Sequence, residues 1–232
     1  MLLLHEVHQV KGRDADEFES AYRDQWMPTL GESDDARLLW FCHHAHGSGP
    51  AYHMVTITAL RDGAAWERLM RRVHGGDLQD WARGLDELRH GVTGKIMTPV
   101  EWSPMQDVDF AAVPTTVTEH ELSLFMEDTG WPHVAVEEYT AFWEKEYYGP
   151  MRAQAAKLLD IQAVFRTAFG TGLRKEAVLW QKIVDHQGLL RLLTTEVPVK
   201  YRSPGTFMYE ALAYRDRWES KLLRTSSWSP LY

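Results

Sequence analysis

The sequence predicts an α+β fold made of two tandem βαββαβ units. Three observations support this prediction: landmarks that recur at an offset of about 123 residues, an aromatic stripe at helical spacing in each half, and two apolar runs around a Gly-x-Gly turn in each half. The chain has 232 residues, which is enough to bury the cores of two small units.

The repeat is clearest at the two turns. Residues 45–49 read AHGSG, and residues 168–172, 123 positions later, read AFGTG. Further landmarks recur in the same order: Trp102-Ser103-Pro104 with Trp228-Ser229-Pro230, the stripe Phe18, Tyr22 and Trp26 with Tyr139, Trp143 and Tyr147, Pro28 with Pro150, and His5-Glu6 with His120-Glu121. We interpret this order as a tandem duplication, with a first unit at 1–104, a linker at 105–115 and a second unit at 116–232.

The predicted strands occupy corresponding places in the two halves. They fall at about 2–10, 37–46 and 52–60 in the first half, and at about 118–126, 161–169 and 175–184 in the second. A short last strand is expected to end at each Trp-Ser-Pro. The Gly-x-Gly turns are expected to need positive φ or close approach of the backbone.

The helix that carries each aromatic stripe has sequence signals at its ends. Asp14 and Glu17 fit a capping box at the start of the first helix, and Pro28 is expected to end it. In the second half, Gly149 and Pro150 are expected to break the helix before MRAQAAKLL resumes it.

A second helix follows each hairpin. Asp77 is expected to cap the first of these helices, and Ser203-Pro204 to start the second. Their inward-facing residues are predicted to be Leu78, Trp81, Leu85 and Leu88 in the first half and Phe207, Ala211, Tyr214 and Trp218 in the second.

The element order β-α-β-β-α-β is that of the ferredoxin-like unit, which orders its strands 4-1-3-2. Two such antiparallel sheets can pack face to face, each with helices on its outer side. In the hairpin strands, apolar residues occur at both odd and even positions, so both faces of each strand are apolar, as this arrangement requires.

The layout resembles the dimeric α+β barrel superfamily, with both units in one chain, and within it the NIPSNAP-type domain. The residues that carry the likeness are YRDQWMPTL followed by RLLWFCHHAHGSGPAYHMVTITALRDGAAWERL; the second half matches more loosely. The resemblance implies one of several roles, because the superfamily includes cofactor-independent monooxygenases, cyclases, dehydratases, haem-binding enzymes and domains of unknown role.

Composition limits the class of protein. The net charge of −8 argues against a nucleic-acid partner or an anionic membrane surface. The single cysteine excludes an internal disulfide, and MLLLHEV is too short for a signal peptide, so we expect a cytoplasmic protein. The ten Trp, nine Tyr and eight Phe suit a core and the walls of an apolar ligand site. We expect a small apolar molecule as partner and leave a homodimer open.

The stretch from Trp40 to His53, WFCHHAHGSGPAYH, holds four histidines and the only cysteine. On a strand, Cys42, His44 and His46 share one face, and the second half has apolar residues or threonine at these positions. The imidazoles are therefore not needed by the fold. We expect His44 or His46 to be an acid/base group, with His53 and Tyr148 as partners.

Other assignments of this region are weaker. His-x-His can offer two metal ligands, with His53 as a third, but no HExxH, CxxC or facial-triad spacing occurs. Cys42 is expected to be a buried apolar side chain rather than a nucleophile. His5-Glu6 and His120-Glu121 are expected to be polar pairs at an edge or interface.

We therefore expect a cofactor-independent enzyme that acts on a small, aromatic or polycyclic molecule by dehydration, cyclisation, isomerisation or monooxygenation. Tyr22, Trp26, Trp40 and Trp143 are the predicted substrate-binding residues. Two alternatives remain: a non-catalytic ligand-binding protein, or a haem enzyme as the resemblance implies, with His133 or His186 as the iron ligand.

Overall fold

The computed structural model describes residues 1–154, 157–172 and 175–232. The first half contains β1 (Leu2–Val10), α1 (Ala15–Ala21), α2 (Met27–Leu30), β2 (Ala36–His44), β3 (His53–Leu60), α3 (Gly63–Gly75), α4 (Gln79–Leu88) and β4 (Arg89–Pro99). The second half contains β5 (Leu124–Pro132), α5 (Val136–Trp143), α6 (Gly149–Arg152), β6 (Leu159–Thr167), β7 (Ala177–Ile183), α7 (His186–Thr194), α8 (Phe207–Glu210) and β8 (Arg215–Thr225).

The eight strands close into one antiparallel barrel with the order β1-β3-β2-β8-β5-β7-β6-β4. Each half contributes a sheet in the order 4-1-3-2, which confirms the predicted ferredoxin-like topology. The two sheets join at their edges, where Cys42 lies opposite Thr225 and Met97 lies opposite Thr167. Closure removes the exposed sheet edges that an isolated unit would present to solvent.

The barrel interior is filled mainly by large apolar side chains. Trp40, Phe125 and Trp180 are buried together, with ring centroids 5.3–6.2 Å apart. The segment predicted to be a linker, 105–115, has neither helix nor strand, and its Phe110 and Val113 are buried against this interior core. The linker therefore helps to close the barrel.

The first helix of each half contains a π-helical turn, at Tyr22–Trp26 and at Glu144–Tyr148. Met27 N–H donates to the carbonyl of Tyr22, five residues back, and a proline follows this turn in each half. The expectation that Pro28 ends the helix was wrong, because the chain stays helical through Leu30, whereas Pro150 lies in the first turn of α6, as expected for a helix that resumes there. Because the prolines lie in the first turn of a new α-helical segment, their missing N–H groups cost no hydrogen bond.

Three other local predictions were wrong. The first strand of the second half begins at Leu124 rather than near 118, and the long helix expected after Ser203 is only one turn, so Trp218 lies on β8. Neither Asp14 nor Asp77 caps a helix, because Asp14 pairs with Arg13 and Asp77 with Arg72. Ion pairing to a neighbouring arginine competes with capping for these carboxylates.

The hairpin turns behave as expected. Gly47 and Gly170 both have φ +81°, a conformation that favours glycine. At Gly49 a side chain would collide with the ring of His44, so this position needs glycine for close approach. Among the described residues, no helix is both long enough and apolar enough to cross a membrane.

Candidate functional site

A cavity of about 480 Å³ lies between the outer face of the first-half sheet and its helices. Its walls are mainly aromatic and aliphatic: Tyr22, Trp26, Trp66, Met70, Trp81 and Leu85. Trp26 and Trp81 stack with ring centroids 4.4 Å apart and planes 3° apart, and this pair forms a flat wall. The size and lining are those of a site for a small apolar molecule.

The second-half hairpin contributes to the same cavity. Gly170, Thr171 and Gly172 line it, although they belong to the other repeat. Thr171 Oγ1 accepts from the N–H of Ile96 at 3.3 Å and donates to the Ile96 carbonyl at 3.0 Å. The cavity is therefore complete only when both units are joined in the barrel.

The alternation of β1 places polar groups on both sides of the sheet. Because neighbouring strand residues point to opposite faces, His5 faces the barrel interior, whereas Glu6 faces the helices and lines the cavity. Strand β1 lies between β3 and β4, so the expectation of an edge position for His5-Glu6 was wrong, although His5 does contact Glu127 across the interface between the two units. The residue opposite Glu6 on β4 is Gly94, which has no side chain to cover the carboxylate.

Glu6 is the polar group with the most unusual environment in the cavity. Within the described part of the chain, its carboxylate has no hydrogen-bond partner and no ion pair. Burial raises the pKa of Glu6 to about 7, and the opposing effect of Arg89 is smaller. A carboxyl group that titrates near neutral pH in an apolar cavity is suited to accept and return a proton.

A hydrogen-bonded cluster lies beside Glu6. Tyr22 Oη is 3.2 Å from Nε2 of His8, and the same nitrogen is 3.1 Å from Thr56 Oγ1. Arg89 Nη1 donates to Nδ1 of His8 over 2.8 Å. The side chains of Tyr22 and His8 are buried, so the cluster is held in a fixed arrangement.

The second half has a carboxylate at the corresponding place, but neighbouring side chains already bind it. Asp128 stands opposite Ser220 on β8, just as Glu6 stands opposite Gly94 on β4. Gln181 Nε2 donates to Asp128 Oδ2 over 2.7 Å, and Ser220 also donates to this carboxylate. The aromatic rings of Tyr139, Phe142, Trp143 and Tyr214 pack above the second sheet. Asp128 is therefore a satisfied buried group, whereas Glu6 is open to a ligand.

The strand pairings also change which residues of the two halves correspond to each other. The pairing registers align His5 with Glu127 and Glu6 with Asp128, an offset of 122 that agrees with the offsets of the helix and the hairpin. His120-Glu121, the counterpart that the sequence suggested, precedes β5 and lies outside any strand. His120 instead stacks on Tyr232 and contacts the carbonyl of Ser229.

The barrel interior contains a separate group of buried charges. His5 Nε2 is 2.7 Å from Glu127 Oε2, and Lys221 Nζ donates to Glu127 Oε1 over 2.9 Å. Burial alone would raise the pKa of Glu127, but His5 and Lys221 hold it well below its usual range. Lys95 pairs with Glu176 at 2.5 Å at another point of the interior. These groups are paired with one another and belong to the core.

The structure brings together only some of the histidines predicted to be catalytic. The rings of His44 and His53 are 5.6 Å apart, and neither nitrogen of His44 has a hydrogen-bond partner among the described residues. Burial and the charge of Lys221 lower the pKa of His44. His46 is exposed beyond the end of β2. None of the three lines the first-half cavity, so their catalytic role stays a prediction.

The other predicted site residues are dispersed. Tyr22 and Trp26 line the cavity, whereas Trp40 lies in the barrel interior and Trp143 in the second-half core. Tyr148 packs against Trp102, with ring centroids 5.0 Å apart, in the second half. Neither Trp143 nor Tyr148 is among the residues that line the first-half cavity, so their role stays a prediction.

Cys42 lies in the barrel core and is fully buried. Burial raises the pKa of its thiol well above the usual range. A buried thiol of this kind is a poor nucleophile, which agrees with a packing role.

The described residues show no cluster of metal ligands. They contain no group of three or more His, Cys, Asp or Glu side chains arranged to hold a metal ion. His133 is exposed, and its Nε2 is 2.9 Å from the carbonyl of Ala213, while His186 is exposed at the start of α7. Neither imidazole is among the residues that line the first-half cavity.

Sequence reasoning missed Glu6, His8 and Arg89. A signal was present in the segment HEVH, since Glu6 and His8 are two apart and share a strand face. That face lies under the helix with the stripe Phe18, Tyr22 and Trp26. A carboxylate on the face of a central strand that an aromatic helix covers must be buried, and this could have been inferred once the strand order was predicted.

Comparisons with known proteins support the fold. No protein-family model matches the sequence, and no curated protein is significantly similar to it. A "putative monooxygenase" from Lactobacillus acidophilus NCFM superposes with a TM-score of 0.58 at 10% identity, over 99% of this chain and 96% of its own. An anthrone oxidase-like protein superposes with a TM-score of 0.56 at 8% identity, over 97% of this chain and 91% of its own.

Chlorite dismutase from Candidatus Nitrospira defluvii gives a TM-score of 0.52 at 8% identity, over 97% of this chain and 90% of its own. A NIPSNAP domain protein from Burkholderia xenovorans is matched over only 44% of this chain with a TM-score of 0.36, so the narrower NIPSNAP likeness stays a prediction. The closed barrel and these superpositions together show the dimeric α+β barrel fold, with both ferredoxin-like units supplied by one polypeptide.

Proposed function

We propose that this protein is an enzyme that binds a small apolar, ring-containing molecule in the first-half cavity and transfers a proton through Glu6. The observation that carries the proposal is the half-buried carboxylate of Glu6, which faces an aromatic cavity and has no hydrogen-bond partner within the described part of the chain. Its pKa of about 7 leaves both protonation states populated at neutral pH. The fold alone does not select this function, because it hosts several activities.

The cavity supports the proposal because it has an apolar wall on one side and polar groups on another. The stacked Trp26 and Trp81 form a flat apolar wall that would hold a ring and exclude water. Glu6 and Tyr22 supply polar groups at the sheet side of the same space. Dehydration, cyclisation, isomerisation and monooxygenation of an activated ring can each begin with removal of a proton from carbon or oxygen, and the proposal concerns this shared step.

Although the chain is duplicated, we propose a site in the first half only. Glu6 and Asp128 occupy equivalent strand positions, but Gln181 and Ser220 already satisfy Asp128. We therefore expect one ligand per chain. Asp128 also supplies a matched control, because Asp128→Asn removes a buried carboxylate from the same place in the other repeat.

A general probe tests the base without knowledge of the natural substrate. The carboxylate of Glu6 would take the carbon-bound proton of 5-nitrobenzisoxazole, the N–O bond would break, and a coloured cyanophenolate would be released. We expect the rate to rise through pH 7 and Glu6→Gln to lower it by about 10²-fold or more. Asp128→Asn should keep the wild-type rate.

Equal rates in wild type and Glu6→Gln would refute the role of Glu6 as a base. If the wild type binds 5-nitrobenzisoxazole at a ratio of one per chain but does not accelerate its reaction, the cavity belongs to a non-catalytic ligand-binding protein. Thermal unfolding of each variant, measured in the same buffer, separates loss of the base from loss of the fold.

A further inference from the structure

The cluster beside Glu6 fixes which nitrogen of the His8 ring carries a hydrogen. Arg89 can only donate hydrogen bonds, so Nδ1 of His8, 2.8 Å from Arg89 Nη1, must accept and carries no hydrogen. Burial and the charge of Arg89 lower the pKa of His8 well below its ordinary value, so the ring is neutral. The single ring hydrogen is therefore on Nε2.

This tautomer determines how the neighbouring hydroxyl groups are used. Nε2–H of His8 points to Tyr22 Oη at 3.2 Å and to Thr56 Oγ1 at 3.1 Å, and both oxygens act as acceptors. Tyr22 must then direct its own hydrogen away from His8, and the two places it can go are Thr56, which is a side-chain hydrogen-bond partner of this phenol, and the cavity. Burial and the nearby Glu6 raise the pKa of Tyr22 well above its ordinary value, so the hydroxyl keeps that hydrogen.

We propose that Arg89 and His8 are positioning residues that hold Tyr22 as a hydrogen-bond donor to the bound ligand, and that the site therefore selects ligands with an acceptor oxygen, such as a ketone. The inference rests on the proposed function, since it assigns the ligand class of the same cavity. Tyr22 and Arg89 line the cavity, whereas His8 lies beneath it, and the Arg89 guanidinium is held by Asp86 and His8. An acceptor oxygen bound by Tyr22 would lie on the sheet side of the cavity, as Glu6 does.

The tautomer can be measured directly. Nitrogen NMR of the protein labelled with ¹⁵N-histidine, with His8→Gln used for assignment, should show a protonated Nε2 and an unprotonated Nδ1 for His8 at pH 7. Arg89→Met removes the obligate donor and should bring the two nitrogens closer to equal protonation. A His8 ring with its hydrogen on Nδ1 in the wild type would overturn the proposal.

Ligand selection is tested with two probes of the same shape. 2-Acetylnaphthalene carries an acceptor oxygen, and 2-isopropenylnaphthalene replaces that oxygen with a CH₂ group. Equilibrium dialysis at pH 8.5, where Glu6 is ionised and cannot donate, should show a preference of about three- to tenfold for the ketone. Tyr22→Phe should abolish the preference and leave the affinity for the alkene unchanged.

The positioning residues have their own variants. Arg89→Met should lower the ketone preference, and Arg89→Lys, which keeps an obligate donor, should restore it. Tyr147→Phe is the matched control, because it removes a phenol that donates to Gln181 in the second half and should keep the preference. Equal binding of both probes by the wild type would overturn this inference and leave the cavity intact, whereas failure to bind either probe would contradict the proposed function itself.

Discussion

Replacing Glu6 with glutamine is expected to stabilise the protein at pH 8 and to leave its stability at pH 4.5 almost unchanged. The pKa of Glu6 is about 7 in the folded protein and 4.5 in an unfolded chain. Between these values the folded state binds more protons than the unfolded state, so the stability of the wild type falls as pH rises from 4.5 through 7. Glutamine resembles the protonated carboxyl group and avoids this loss.

The magnitude follows from the difference of 2.5 pKa units between 7 and 4.5. At about 1.36 kcal/mol for each unit, the full effect is about 3 kcal/mol, and partial exposure of Glu6 reduces it to about 2 kcal/mol. Urea unfolding of wild type and Glu6→Gln, followed by tryptophan fluorescence from pH 4.5 to pH 8.5, measures the free energy of unfolding. A difference between the two proteins that does not change with pH would refute the reasoning.

Glu19 provides a control, because its pKa is shifted in the opposite direction to that of Glu6. Burial alone would raise the pKa of Glu19, but hydrogen bonds from His43, Ser226 and Trp228 lower it to about 2. Its contribution to stability is present above pH 4.5 and is lost as pH falls toward 2. Glu19→Gln should therefore destabilise the protein at pH 7, with the difference shrinking on acidification in the same urea experiment.

Three further outcomes are expected. Cys42→Ala should lower the free energy of unfolding by about 1–2 kcal/mol, because core volume is lost. Ellman's reagent should modify Cys42 slowly in the native protein and rapidly in the unfolded chain. Fast modification of the native protein would contradict the burial of Cys42. Glu127→Gln should cost about 3–5 kcal/mol, because it leaves Lys221 without its buried partner, and a neutral result in urea unfolding would refute the importance of that pair. His44→Phe separates the two assignments of the acid/base group: the rate with 5-nitrobenzisoxazole should be retained if Glu6 is the base, and a fall of about 10²-fold or more would assign the role to His44.

The sequence by itself determined the duplication, the order of the elements and the strand order within each unit. These properties are local, because turn residues, helical spacing and strand alternation act over a few positions of the chain. Gly47 and Gly170 illustrate this, since both have the positive φ that their repeated turns predicted. The predicted apolar character of both faces of β2 and β3 likewise agrees with a sheet that is covered on both sides.

The tertiary structure decided which polar residues are buried together. His44 and Glu6 are 38 positions apart and equally conspicuous in the sequence, yet only Glu6 lies under the aromatic helix, because β1 is a central strand and β2 ends at the barrel rim. The raised pKa of Glu6 arises from desolvation by side chains brought from α3, α4 and the other repeat, and no local pattern encodes those contacts. The sequence could thus predict the barrel, but only the closed barrel shows that Glu6 lies in an aromatic cavity without a hydrogen-bond partner among the described residues.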